Sequence, residues 1–162
     1  MSPLVLGIGS PFGTDRLGWL AIDALASAGL ERRWPGLRLV KLDRPGSRLL
    51  TALNGADQAL LIDALDGPGA PGCLRRIEPA ELAADVAALS AHRFGVAQAL
   101  ALARALGVLP PRLALYAIQA GCGPWLEPLE LTAASRQRLL REVWTELEAS
   151  GLPQPAVAAT LD

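Results

Sequence analysis

Leu4-Val5-Leu6-Gly7-Ile8-Gly9, followed by Ser10-Pro11-Phe12-Gly13-Thr14-Asp15-Arg16-Leu17-Gly18, is the stretch on which the fold turns. Its apolar half shows no polar alternation. It reads as a buried parallel strand, because a strand covered on both faces has no wet side. Ser10 to Thr14 is a turn, rich in residues that bend or fix the backbone. Leu17, Leu20, Ala21, Ala24 and Leu25 then recur at helical spacing and predict a helix over about 16–29.

The same alternation of strand and helix continues outward. Leu37–Leu42 is a second strand, interrupted by Pro45-Gly46, and Arg48–Leu53 a short helix. Ala59-Leu60-Leu61-Ile62 is a third strand, apolar enough to be central, ending at Asp63. Gly67–Gly72 is a turn into a strand at Cys73–Ile77. That link is too short for a parallel crossover, so this strand is expected to run antiparallel to the third. A short helix is expected near Pro79–Val86, then a helix over Phe94–Leu106, a strand over Leu113–Ile118, and a last helix from an N-cap at Thr132 to about Ala149. The last helix puts Leu139, Leu140, Val143, Trp144 and Leu147 on one face. The pattern predicts a single-domain α/β fold: a three-layer α/β/α sandwich over residues 1–150, with a mostly parallel twisted sheet and one antiparallel strand. Residues 151–162 read as a flexible C-terminal tail.

Composition narrows the function classes. Of 162 residues, 51% are hydrophobic, enough for a real core in one domain. The net charge is -1, from 15 Lys+Arg against 16 Asp+Glu, which gives no electrostatic case for nucleic acid or an anionic membrane. Met1–Gly9 lacks the basic flank of a signal peptide. Gln98 and Arg104 break an apolar run too short to span a bilayer. The expected compartment is the cytoplasm. Cys73 and Cys122 form no CxxC pair and are expected as free, small, partly buried thiols.

Ligands of open α/β sheets bind beyond the carboxyl ends of the strands, where the strand order reverses. In a sheet ordered 2-1-3, the ends of the first and third strands are neighbours. Asp15 and Asp63 then face each other across that point. His92, the single histidine, stands just before a helix in Ser90-Ala91-His92-Arg93-Phe94-Gly95. Two carboxylates and an imidazole suit a borderline divalent metal such as nickel or zinc. Aspartate and histidine alternatively supply general acid–base chemistry. The plainer readings are a helix cap for Asp15, a turn acceptor for Asp63 and a surface residue for His92. No Gly-x-Ser-x-Gly elbow or HExxH pair occurs.

Gly7-x-Gly9-x-x-x-Gly13 also invites comparison with a dinucleotide loop, with Asp43 holding a ribose. Phe12 stands where that pattern needs glycine, and Pro11 removes an amide that would meet a phosphate. A nucleotide-binding module is therefore the weaker reading.

Together the motifs resemble the hydrogenase maturation proteases over about residues 4–148. Gly7-Ile8-Gly9-Ser10-Pro11 with Gly13-Thr14-Asp15-Arg16-Leu17-Gly18 is similar to the family's opening. Asp43-Arg44-Pro45-Gly46, Leu61-Ile62-Asp63-Ala64 and Ser90–Gly95 fit its later blocks. The resemblance implies an endopeptidase that removes the C-terminal extension of the large subunit of a nickel–iron hydrogenase after nickel insertion. It implies Asp15, Asp63 and His92 as metal-binding and catalytic residues. Arg16 and Asp43 are expected to bind substrate, Arg16 by facing outward to dock the extension. The metal is nickel, belonging either to the protease or to its substrate, with zinc the other candidate. The partner implied is the precursor large subunit. Three departures stand out. Ser10 replaces the usual asparagine, and the first loop is one residue short. No glutamate follows the last core strand around Gln119–Trp125. Asp15 is aligned with the second of the family's two loop acids, which keeps Asp15-x-x-Gly18. Aligned with the first, Asp15 would leave Arg16 at the ligand position. A non-cleaving maturation chaperone is the remaining alternative.

Overall fold

Pro3–Gly9 forms the first strand, β1, and every residue in it is buried. The burial follows from its place between two parallel neighbours. Leu4 pairs with Arg38 of β2 (Arg38–Asp43) on one side and with Ala59 of β3 (Gln58–Asp66) on the other. The computed structural model describes residues 2–78, 91–121 and 130–151, with 91–94 described by backbone alone. The expected helix near Pro79–Val86, Cys122, and residues 152–162 of the expected tail lie outside the described residues.

A turn of 3-10 helix, Gly13–Arg16, leads into helix α1, Leu17–Ser27, and a single helical turn, α2, Leu30–Arg33. Helix α3 is Gly46–Leu53, strand β4 Leu74–Ile77, helix α4 Ala91–Ala105, strand β5 Arg112–Gly121 and helix α5 Ala133–Ala149. The sheet order is β2-β1-β3-β5-β4, parallel except for β4. The expected order 2-1-3 is therefore present. Strand β4 runs antiparallel to β3 as expected, but β5 lies between them and is its actual partner.

Alternation within the strands sorts the core into two layers. Val5, Leu60, Ile62 and Tyr116 pack with Leu17, Ala21, Leu25, Trp34 and the Leu139, Val143, Leu147 stripe of α5. Leu4, Leu6, Ile8, Leu61 and Ala117 pack on the other face with Leu49 and Leu53 of α3 and Val96, Ala99 and Ala103 of α4. Most buried polar side chains are hydrogen-bonded, as burial favours; the Trp34 indole nitrogen is buried without a partner among the described residues. The Gln58 amide donates to the Glu146 carbonyl at 2.8 Å, and the Ser150 hydroxyl bonds Gln58. The cross-strand neighbours Tyr116 and Arg76 both reach the Glu146 carboxylate, at 2.8 and 2.5 Å. Burial, and then the Glu146 carboxylate, push the Tyr116 phenol well above its ordinary pKa, so it stays a donor. The Thr132 hydroxyl accepts from the Ser135 amide at 3.1 Å, which is the expected N-cap.

Several strand and helix boundaries differ from expectation. Strand β3 does not end at Asp63. Its pairing with β5 continues through Asp63↔Ala117 and Ala64↔Ile118, beyond Ile62, the last residue that pairs with β1. With one neighbour gone, the extension needs no apolar run. Strand β5 likewise runs on to Gly121. Helix α4 begins at Ala91, so His92 is its second residue rather than a residue ahead of it. Cys73, expected to be partly buried, is an exposed free thiol in the turn before β4. No helix among the described residues is long and apolar enough to cross a membrane.

Candidate active site

The carboxyl ends of β1 and β3 separate just where α1 begins. A Cβ on Gly18 would collide with the carbonyl oxygen of Ile8 and lie 2.8 Å from that of Ile62. Helix α1 is thus wedged against both strand ends, at the point where the chain order reverses. Gly9 is equally constrained, since a Cβ there would strike the carbonyl oxygen of Asp15. The first loop, residues 10–16, consequently folds tightly back over the ends of these strands.

Ser10 organises that loop. Its amide donates to the Asp15 carbonyl at 3.3 Å, and its hydroxyl donates to Asp15 Oδ2 at 3.4 Å. The same hydroxyl oxygen accepts from the Phe12 amide at 3.3 Å. Thr14 reaches across to β3, with its hydroxyl donating to Asp66 Oδ1 at 3.4 Å. Asp15 is half-buried and does not cap α1, whose N-cap residue is Arg16 with no side-chain bond. The engaged amides of Ser10 and Phe12 also count against a phosphate cradle in this loop.

Asp63 is 9% exposed and follows Ala59 and Leu61 in alternation, so it lies on the sheet face that α3 and α4 cover. Its Oδ1 accepts from the Ala64 amide at 2.8 Å. Helix α4 starts at the same edge of the sheet. A Cβ on Gly95 would lie 3.4 Å from Cγ of Pro45, in the turn that follows the end of β2. Asp15, Asp63 and the backbone of His92 therefore share the carboxyl edge, while the His92 side chain lies outside the described residues. Among the described residues no three His, Cys, Asp or Glu side chains cluster closely enough for a metal ion.

The other two expected residues sit along the same edge. Asp43 ends β2 in register with Gly9 and is 4.0 Å from the Nε of Arg44, an exposed residue with φ 55°. Arg16 is half-buried rather than turned fully outward, and makes no hydrogen bond or ion pair among the described residues. Two features escaped the sequence reading. The Ser10 hub carries the signal of a serine whose hydroxyl receives an amide two residues on. Gln119, noted only for not being glutamate, is a buried clamp. Its side-chain amide donates to the Gly67 carbonyl at 2.7 Å, and its backbone bonds Gly72 and Cys73, each at 2.8 Å. It thereby holds the β3–β4 connection against the end of β5.

Comparisons with known proteins agree with this architecture. A family model described as hydrogenase maturation protease (HycI) matches residues 35–136, a span that includes Asp43, Asp63 and His92. The hydrogenase expression/formation protein HupD of Thiocapsa roseopersicina is 33% identical over 122 residues, covering 72% of this chain and 53% of that protein. The chain thus spans about half the length of that relative. Among solved structures, the hydrogenase maturating endopeptidase HybD from E. coli aligns with a TM-score of 0.69 at 25% identity, covering 93% of this chain and 94% of its own. A NiFe hydrogenase maturation protease HybD from Thermococcus kodakarensis shares the fold, with a TM-score of 0.65 at 23% identity and coverage of 90% and 98%. With a family model matching well over half its length, and a fold shared with solved members, the chain belongs to the hydrogenase maturation protease family.

Proposed function

We propose that the chain is an endopeptidase that removes the C-terminal extension from the nickel-loaded large-subunit precursor of a nickel–iron hydrogenase. The observation that carries this reading is the placement of Asp63, buried at the switch point, with the Asp15 loop folded over the same strand ends. The α4 start that bears His92 stands at that edge. A carboxylate here can take a proton from an attacking water, and the imidazole can return one to the leaving amine. Ser10 orients the Asp15 carboxylate, and the Ala64 amide orients that of Asp63.

Two aspartates and a histidine make a donor set that fits nickel or zinc. Asp15, Asp63 and His92 would hold the ion, which supplies polarisation of the scissile carbonyl or a more acidic water. Nickel already seated in the precursor meets the same side chains as part of the substrate. Arg16 and Asp43 flank the set and bind the extension, Arg16 through its carboxylates. The exposed Cys73 thiol fits a reducing compartment such as the cytoplasm.

The test is incubation of the purified full chain with nickel-loaded precursor, read by mass spectrometry. Release of the extension is expected. Tight binding without cleavage would favour the chaperone reading, and absence of both would reject the partner. Arg16→Ala is expected to slow cleavage about five- to tenfold through weaker binding, on the scale of one lost charge-assisted contact. Its stability should change by less than about 0.5 kcal/mol. Cleavage at the parent rate would reject the docking role of Arg16.

A further inference from the structure

Phe12 is 77% exposed, more than Leu106 at 61% or Leu102 at 48%, the other exposed large apolar side chains among the described residues. Those two lie on or just beyond α4, away from the strand ends, whereas Phe12 stands in the loop that carries Asp15. A single exposed apolar residue is ordinary. The position of this one is not, because the loop that carries it folds over the strand ends beside Asp15 and its backbone is tied on the N-terminal side. Pro11 restricts the approach, and the Phe12 amide is tied to the Ser10 hydroxyl. That hydroxyl also donates to the Asp15 carboxylate, so one side chain ties the Phe12 backbone to the carboxylate of the site. An aromatic side chain has only two rotatable angles to immobilise on binding and offers a large apolar surface, which is what an anchor residue requires.

We infer that Phe12 grips a large apolar side chain of the precursor beside its cleavage site, and so sets affinity and specificity without entering the chemistry. The inference rests on the protease reading of the site. The guanidinium of the half-buried Arg16, four positions on and unpaired among the described residues, complements an acidic group next to that apolar side chain. The occupant is therefore an extended peptide segment with an apolar residue flanked by a carboxylate.

Steady-state cleavage of nickel-loaded precursor by the full-length parent, Phe12→Ala and Phe12→Leu tests it. Phe12→Ala should raise KM about tenfold, with kcat changed less than about twofold and the melting temperature unmoved. Phe12→Leu should recover most of the affinity. An unchanged KM, or a fall in kcat at constant KM, overturns the inference. A parent that dimerises through Phe12 and loses the dimer on Phe12→Ala overturns it as well. If the parent binds precursor without cutting it, the protease reading fails separately. Direct binding then decides: weaker capture by Phe12→Ala sustains the anchor, and equal capture removes it.

Discussion

Replacing Gly18 by alanine is expected to destabilise the protein by about 3 kcal/mol or more, and by valine to prevent folding. Helix propensity alone gives the opposite sign, since alanine in a helix is favoured over glycine by about 1 kcal/mol. The geometry decides between them. The new methyl group would overlap the Ile8 carbonyl oxygen and sit 2.8 Å from that of Ile62. Both are backbone atoms in paired strands, so no side-chain rotation relieves the contact. Helix α1 would have to lift off the sheet, and with it the fully packed Leu17, Ala21 and Leu25. A domain of this size has only about 5–15 kcal/mol in hand. Urea denaturation of parent and Gly18→Ala measures the difference. A variant as stable as the parent, or more so, would show that α1 does not seat against the two strand ends.

Much of this architecture was legible in the residues. The unbroken apolar run from Leu4 to Ile8 and the alternating layers follow from burial on both faces, which the sequence records directly. The switch point between the first and third strands follows once the order 2-1-3 is taken, and the sheet has that order. The far half of β3 was not legible. Asp63-Ala64-Leu65-Asp66 has lost its β1 neighbour and pairs only with β5, so its side chains need not be apolar. The partner of β4 was not legible either, because a short antiparallel strand reports its direction but not which edge it joins. At the site, the types of Asp15 and Asp63 were readable, but their supports were not. Ser10 and Gln119 act through hydroxyl and amide contacts with backbone groups that only the folded chain brings near. Phe12 reads as an ordinary apolar residue in a turn until its exposure is seen.

Loss of cleavage on changing Asp63 or His92 carries the second large effect. Asp63→Asn keeps the oxygen that accepts from the Ala64 amide, so the local turn of the backbone should survive. What it loses is the negative charge needed to take a proton or to hold a cation. His92→Ala removes the chain's single imidazole at the start of α4. Each change should lower the cleavage rate at least about 100-fold, the lower range for a positioned acid or base. Circular dichroism and melting temperature should remain those of the parent, which separates lost chemistry from lost fold. The most direct measurement is single-turnover cleavage of nickel-loaded precursor by parent, Asp63→Asn and His92→Ala, followed by intact mass. Release of the extension by the parent, with uncut precursor and native folds for both variants, is the result expected. Cleavage at the parent rate by both variants would contradict the assignment of this strand-end site.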